Sequence, residues 1–214
     1  MSLRRILTSA ATLVLALLLV AAAVQLVVRP EPRDRLRQAD GAMLAGHYYD
    51  ALQQYAAVGR LAPHFAPAQA RIGMVYAVRG ERQAATQALA RALNGNLSVT
   101  DVDLVRLYQG VIAIQEGDDP RQFWRLIAPQ GPLYGISRVL DGEYRTANAD
   151  YAGAEAALRE ALGTPLPTAW RQAAHTSLAL LRASSDPATA QRELSQAVMN
   201  GRPEMETQSV ALAA

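Results

Sequence analysis

Three histidines and two close pairs of aspartates are the residues of this chain whose types could do chemistry, and their spacing limits what that chemistry can be. His47, His64 and His175 fall in different predicted elements. They lack the i, i+4 spacing around a glutamate that makes one helix face a zinc site, so structural polar roles are expected of them. Asp101 and Asp103 alternate as in a calcium loop, but the glycine and later glutamate of such a loop are missing. Capping the following helix is the simpler role. Asp118 and Asp119 would serve as acid and base only with opposed pKa shifts, which adjacent exposed carboxylates rarely have. The absence of cysteine removes thiol nucleophiles, thiolate metal sites and disulfides. No glycine-rich phosphate cradle, G-x-S-x-G elbow or dinucleotide fingerprint occurs. The chain is therefore expected to be no enzyme and to hold no metal or cofactor. A hydrolase on this scaffold would have to work through Asp118 or Asp119.

Composition narrows the class further. Net charge is +2, the charged fraction is 19 % and half of the residues are hydrophobic. Every basic residue is arginine, and so small an excess does not point to nucleic acid. The mixture suits one helical domain of about 185 residues behind a membrane helix. Trp124, Tyr134 and Trp170 begin or lie within predicted helices, where packing is their expected role.

Between Ile6 and Val28 an apolar stretch is interrupted only by Thr8, Ser9, Thr12 and Gln25. At roughly 1.5 Å per residue it reaches across a hydrocarbon core of about 30 Å, so residues 1–28 read as an N-terminal membrane anchor with its span at 6–28. A cleavable signal peptide is the alternative, with Arg4 and Arg5 as a basic start and Ala21-Ala22-Ala23 as a small-residue cleavage site. Against it, the run continues through Val24, Leu26, Val27 and Val28, past the usual signal core of about 7–15 residues. Arg29, Arg33, Arg35 and Arg37 outnumber the basic residues before the span. A basic head before an apolar helix nevertheless starts a signal anchor, and long following domains translocate largely regardless of charge. The expected arrangement is single-pass, with the following domain extracytoplasmic. Arg29-Pro-Glu-Pro-Arg33 is a stiff spacer, because prolines fix φ and disfavour helix before them.

The elements that would position any site come from a repeat. Gly46-His-Tyr-Tyr-Asp-Ala51-Leu-Gln-Gln-Tyr55-Ala-Ala-Val58, closed by Leu61-Ala-Pro63, sets small, aromatic and proline residues at helix-turn-helix spacing. Gly73, Tyr76, Gly80, Ala85, Leu89 and Ala92 stand in the same relative places about 34 residues further on. Helix pairs are expected over 34–45 and 48–61, then 68–79 and 81–93. Gly46 ends the first helix as a C-cap, Pro67 sits in a first turn and Asn94-Gly-Asn96 is a turn. A third, degenerate pair runs over 103–116 and a short 121–128, with Asp119 as N-cap, Pro120 as first helical residue and no alanine in the expected place. Residues 135–148 and 150–162 make a fourth pair, with Gly142 in the small position and Tyr151, Ala154, Leu158 and Ala161 in register. Residues 168–183 and 187–199 make a fifth, keeping Ala190, Leu194 and Ala197, and 201–214 read as a flexible tail.

Over most of residues 34–200 this pattern resembles the tetratricopeptide repeat family, most specifically in the first two repeats. The expected fold is all-α: a transmembrane helix followed by an α-solenoid of about five antiparallel helix pairs. The resemblance implies a right-handed superhelix whose concave face, lined by the first helix of each pair, takes a peptide or a partner's helix. By position that face presents Leu36, Asp40, Met43 and Leu44, then Ala70, Met74, Ala77 and Val78, then Leu107, Val111 and Ile114. Val139, Glu143, His175, Ala179 and Arg182 continue it. Its apolar lining suits an amphipathic or extended apolar segment, and methionines adapt to irregular surfaces. The alternative for Met43, Met74, Val78 and Val111 is that they pack against one another or against a terminal helix. Members that clamp a carboxylate use lysine, asparagine and arginine, and Arg71 alone does not rebuild that clamp. The expected function is a membrane-anchored scaffold or adaptor for a protein or peptide partner, with no nucleic acid and no small-molecule substrate. The alternative is an accessory or assembly subunit of a membrane complex held through its transmembrane helix, for which the small residues of Ala10 to Ala23 speak.

Overall fold

Short turns closed by left-handed residues set the architecture. The computed structural model describes residues 31–183 and 185–200, and the stretches read as anchor and tail lie outside them. Ten helices occur among the described residues: α1 Pro32–Leu44, α2 Tyr48–Leu61, α3 Ala66–Val78, α4 Arg82–Leu93, α5 Val99–Glu116, α6 Arg121–Trp124, α7 Tyr134–Ala147, α8 Tyr151–Leu162, α9 Thr168–Arg182 and α10 Pro187–Asn200. They pack as five successive pairs, with neighbouring pairs stacked on one another. None of them is long and apolar enough to cross a membrane.

The first four pairs turn on one device. Gly46, Gly80 and Gly117 have φ of 77°, 75° and 83°. At each, the glycine N–H and the next N–H reach back to the carbonyls three and five residues earlier, as in Gly80 N to Ala77 O at 3.1 Å and Glu81 N to Tyr76 O at 2.9 Å. This satisfies carbonyls left open at a helix end and reverses the chain. In the fourth pair Ala149 takes the same position, at φ 60°.

Small residues on the first helix of a pair let the second approach. Tyr55 and Ala39 are both fully buried. A Cβ on Gly73 would lie 2.5 Å from Leu89 Cδ2, and one on Gly142 would lie 2.6 Å from Leu158 Cγ. In the third pair Gly110 lies against the Trp124 indole, whose Nε1 donates to Leu107 O at 3.1 Å. Trp124 thus fills the notch that Tyr55, Leu89 and Leu158 fill elsewhere, each such burial contributing about 1.5–3 kcal/mol. Ala51, Ala85, Ala154 and Ala190 are buried at their common place on the second helices, as the register requires. The core runs through α5: Val105 and Ile112 pack toward α3 and α4, while Leu107 packs with Trp124, Val139 and Leu178 on the other side.

Three expectations are corrected. α1 starts at Pro32, within the stretch read as a spacer, because proline fits the first turn of a helix without needing its missing N–H. α5 starts at Val99, and its cap is Ser98, whose Oγ accepts from Asp101 N at 3.2 Å. Asp103 is no cap: it is fully buried inside α5, taking Arg106 Nη1 at 3.1 Å and Ala128 N at 3.3 Å. It pins the chain after α6, and the helix expected over 121–128 shrinks to the single turn of α6.

Candidate functional site

The row expected to line the concave face is largely core. Leu36, Ala70, Met74, Ala77 and Leu107 are buried, as are Val139 and Ala179. The cause is the close stacking of first helices. Leu36 packs into one cluster with Ile72, Met74 and Val75 of α3, while Ala70 and Ala77 pack with Val105 and Ile112 of α5. Those seven residues offer a partner almost nothing to touch. Met43 is half-buried against the same core and Val111 is half-buried on α5. Val78 is 39 % exposed, Ile114 44 % and Leu44 78 %. The accessible apolar surface therefore lies at the C-terminal ends of α1, α3 and α5, not along their middles.

Asp40 also has another task. Tyr55 Oη donates to Asp40 Oδ1 at 2.6 Å, and Arg71 Nε stands 3.6 Å from the same oxygen. Arg71 pairs at once with Asp101, so one guanidinium links α1, α3 and α5. Burial and then the Asp40 hydrogen bond push the Tyr55 hydroxyl far above the usual tyrosine range. Burial alone would raise the Asp101 carboxyl, but the hydrogen bonds from Ser98 and Arg71 hold it below its ordinary value. Tyr108, packed beside this network, is pushed up to about 12 chiefly by burial. The network is a fixed brace, and no spacing rule places its members together.

Farther along, burial raises the pKa of Glu143, although the residue as a whole remains exposed. His175 is 2.7 Å from Glu193 and joins α9 to α10, while Arg182 pairs with Glu155. His47 and His64 are exposed, and Asp119 holds Arg121 through its side chain and its N–H. The Arg121 guanidinium lies 5.7 Å from the Tyr144 ring centre. Among the described residues, no three side chains of His, Asp or Glu gather to hold a metal ion.

No family model matches the sequence, and no curated protein matches it. Solved structures do. A crystal structure of MamA overlaps with a TM-score of 0.53 at 16 % identity, over 76 % of this chain and 93 % of that one. A MamA RS-1 ArsTM double mutant overlaps with a TM-score of 0.53 at 13 % identity, over 82 % and 97 %. A TPR repeats protein from Bacteroides fragilis overlaps at 15 % identity with a TM-score of 0.33, over 86 % and 100 %. With the turn and notch shared by the first four pairs, the first two overlaps show the fold: the chain is a solenoid of the tetratricopeptide repeat type.

Proposed function

We propose that the chain is a membrane-anchored scaffold that binds an apolar segment of a partner protein along the exposed ends of its first helices. The observation that supports this most is the row of Leu44, Val78 and Ile114. Each is a large aliphatic residue left exposed near the C-terminal end of its helix, Leu44 and Val78 two places before their turn glycines and Ile114 three before Gly117, where most residues expected to line the same face are buried. Aliphatic groups aligned on one face gain about 25 cal/mol for each Å² that a partner covers. Asp40 and Arg71, locked in their brace, keep the helices rigid beside this rim and so lower the ordering cost of binding. The anchor belongs to residues 6–28 and the extracytoplasmic placement to the same reading.

Buried Met74 is the wrong place to test it, since a charge there would unfold the second pair. Val78→Arg with Ile114→Arg changes only exposed positions. The full chain carrying both changes, purified in mild detergent, should keep its unfolding temperature and lose its co-purifying partners. Retention of those partners would refute the rim as the binding surface. The alternative, a complex subunit held by its membrane helix, is favoured if a chain beginning at Glu31 loses every partner while the Arg variants keep them.

A further inference from the structure

On the side of α3 opposite the rim lies a second surface of different chemistry. At roughly 100° per residue, Gln69, Ile72 and Tyr76 face away from Met74 and Val78. They floor a cleft of about 880 Å³ between α2 and α4. Leu52 and Ile72 form its apolar base with Tyr76, whereas Arg60 and Arg91 stand at the end marked by Gln69. Arg91 Nε donates to Gln69 Oε1 at 3.2 Å. No aspartate or glutamate lines the cleft, and among the described residues neither Arg60 nor Arg91 has a carboxylate within ion-pair distance. Arg71, Arg138, Arg145 and Arg182, by contrast, are each paired with a carboxylate. Their seats in the last turns of α2 and α4 suit the helix dipoles. That accounts for two cations but not for the shared apolar floor beside them.

We propose that this cleft docks a protein segment carrying a carboxylate about one helical turn from an apolar side chain. From Leu52 to Arg60 is roughly 12 Å along α2, room for about two turns of helix. The carboxylate would take charge-assisted hydrogen bonds from Arg60 and Arg91, and the apolar side chain would cover the partly exposed Tyr76 beside buried Ile72. Two cations over an apolar and amide-lined floor fit an acidic peptide better than a phosphate backbone, which needs a longer basic track. This surface is independent of the rim.

The test uses the full chain in mild detergent and fluorescence anisotropy of short alanine-based peptides. One bears a Glu pair a helical turn before a Leu pair, and its counterparts carry Gln or Lys in place of Glu. The Glu peptide should bind at least about ten-fold tighter than the Gln peptide, the Lys peptide weakest. Arg60→Gln with Arg91→Gln should erase that preference, while Val78→Arg with Ile114→Arg leaves it intact. Equal binding of the three peptides, absence of binding, or a preference that survives the Arg60 and Arg91 changes would overturn the proposal. So would a short single-stranded DNA that displaces the Glu peptide at equal concentration, which would mark the cleft as an unspecific anion site.

Discussion

Ala149→Gly should stabilise the protein, although it removes a methyl group and adds a flexible residue. Ala149 sits at φ 60° in the turn between α7 and α8, where three of the four equivalent turns use glycine. Its N–H bonds Thr146 O at 3.1 Å, and the next N–H bonds Arg145 O at 2.9 Å, so the strained geometry is held from both sides. For an L-residue the left-handed region costs about 1–2 kcal/mol, because Cβ crowds the following carbonyl. Glycine escapes that cost and gives back about 0.4–1 kcal/mol through its freer unfolded chain. Ala149 is exposed, so the methyl contributes no packing to lose. The net gain is about 0.5–1 kcal/mol, and Gly80→Ala should lose about as much, since a Cβ there meets nothing within 4 Å.

Urea unfolding followed by helical circular dichroism measures both changes, and hydrogen exchange locates them. Protection should rise in α7 and α8 for Ala149→Gly and fall in α3 and α4 for Gly80→Ala. The two turns share no side-chain contact, so the double variant should return close to the parent. A loss of stability on Ala149→Gly, or an unchanged one on Gly80→Ala, would refute the argument that backbone conformation alone decides these positions.

Two further outcomes follow from the packing and the ionic brace. Gly110→Ala drives a methyl into the Trp124 indole and threatens its hydrogen bond to Leu107 O, so about 2–4 kcal/mol should be lost, with red-shifted Trp124 emission in a Trp170→Phe background. Gly41→Ala, in a helix interior with nothing near, is the control and should gain up to about 1 kcal/mol. Asp101 has a depressed folded pKa, so its contribution is complete above its ordinary value near 4 and is lost as pH falls below it. Asp101→Asn should lower stability at neutral pH and flatten part of the acid limb of a stability-against-pH curve; an unchanged acid limb would show that the Arg71 brace carries no such linkage.

The pairing of helices was legible because it rests on local facts. Glycines at helix ends and alanines or glycines at the notch act within one turn or one pair, so Gly46, Ala51 and Gly73 could be read where they stand. Ala149 could not, since an alanine gives no sign that its neighbours will hold it at positive φ. The third pair is degenerate, as its short second helix and missing alanine predict, and α6 is a single turn. Its notch was less legible, because Gly110 of α5 receives Trp124 in place of the tyrosine or leucine of the other pairs. The binding row failed differently. Position along the repeat tells which way a side chain faces, but depth depends on how closely the next pair stacks, and that is set by residues such as Ala70 and Ala77 working across pairs. Neither the Asp40–Arg71–Asp101 brace nor the α2–α4 cleft belongs to one segment, so periodicity offered no route to either.

The same notch logic explains where the apolar surface of the stack is left open. In the first, second and fourth pairs the large residue of the second helix, Tyr55, Leu89 or Leu158, enters a notch at Ala39, Gly73 or Gly142 and is then sealed by the following pair. Counted back from Ala190, the notch of the fifth pair is filled by Leu178, which is buried in the core of the preceding pair. Leu194 then has no notch to enter and is 49 % exposed on α10, beside exposed Val198 and Met199. Among the described residues no helix stacks on that face. A solenoid buries each unit only by its neighbour, so the exposed rim of α1, α3 and α5 and this exposed end have different origins. The end is apolar because the register of the repeat demands a large residue there. The rim is apolar although no repeat position demands it, which is why Val78 and Ile114, rather than Leu194, carry the proposed binding surface.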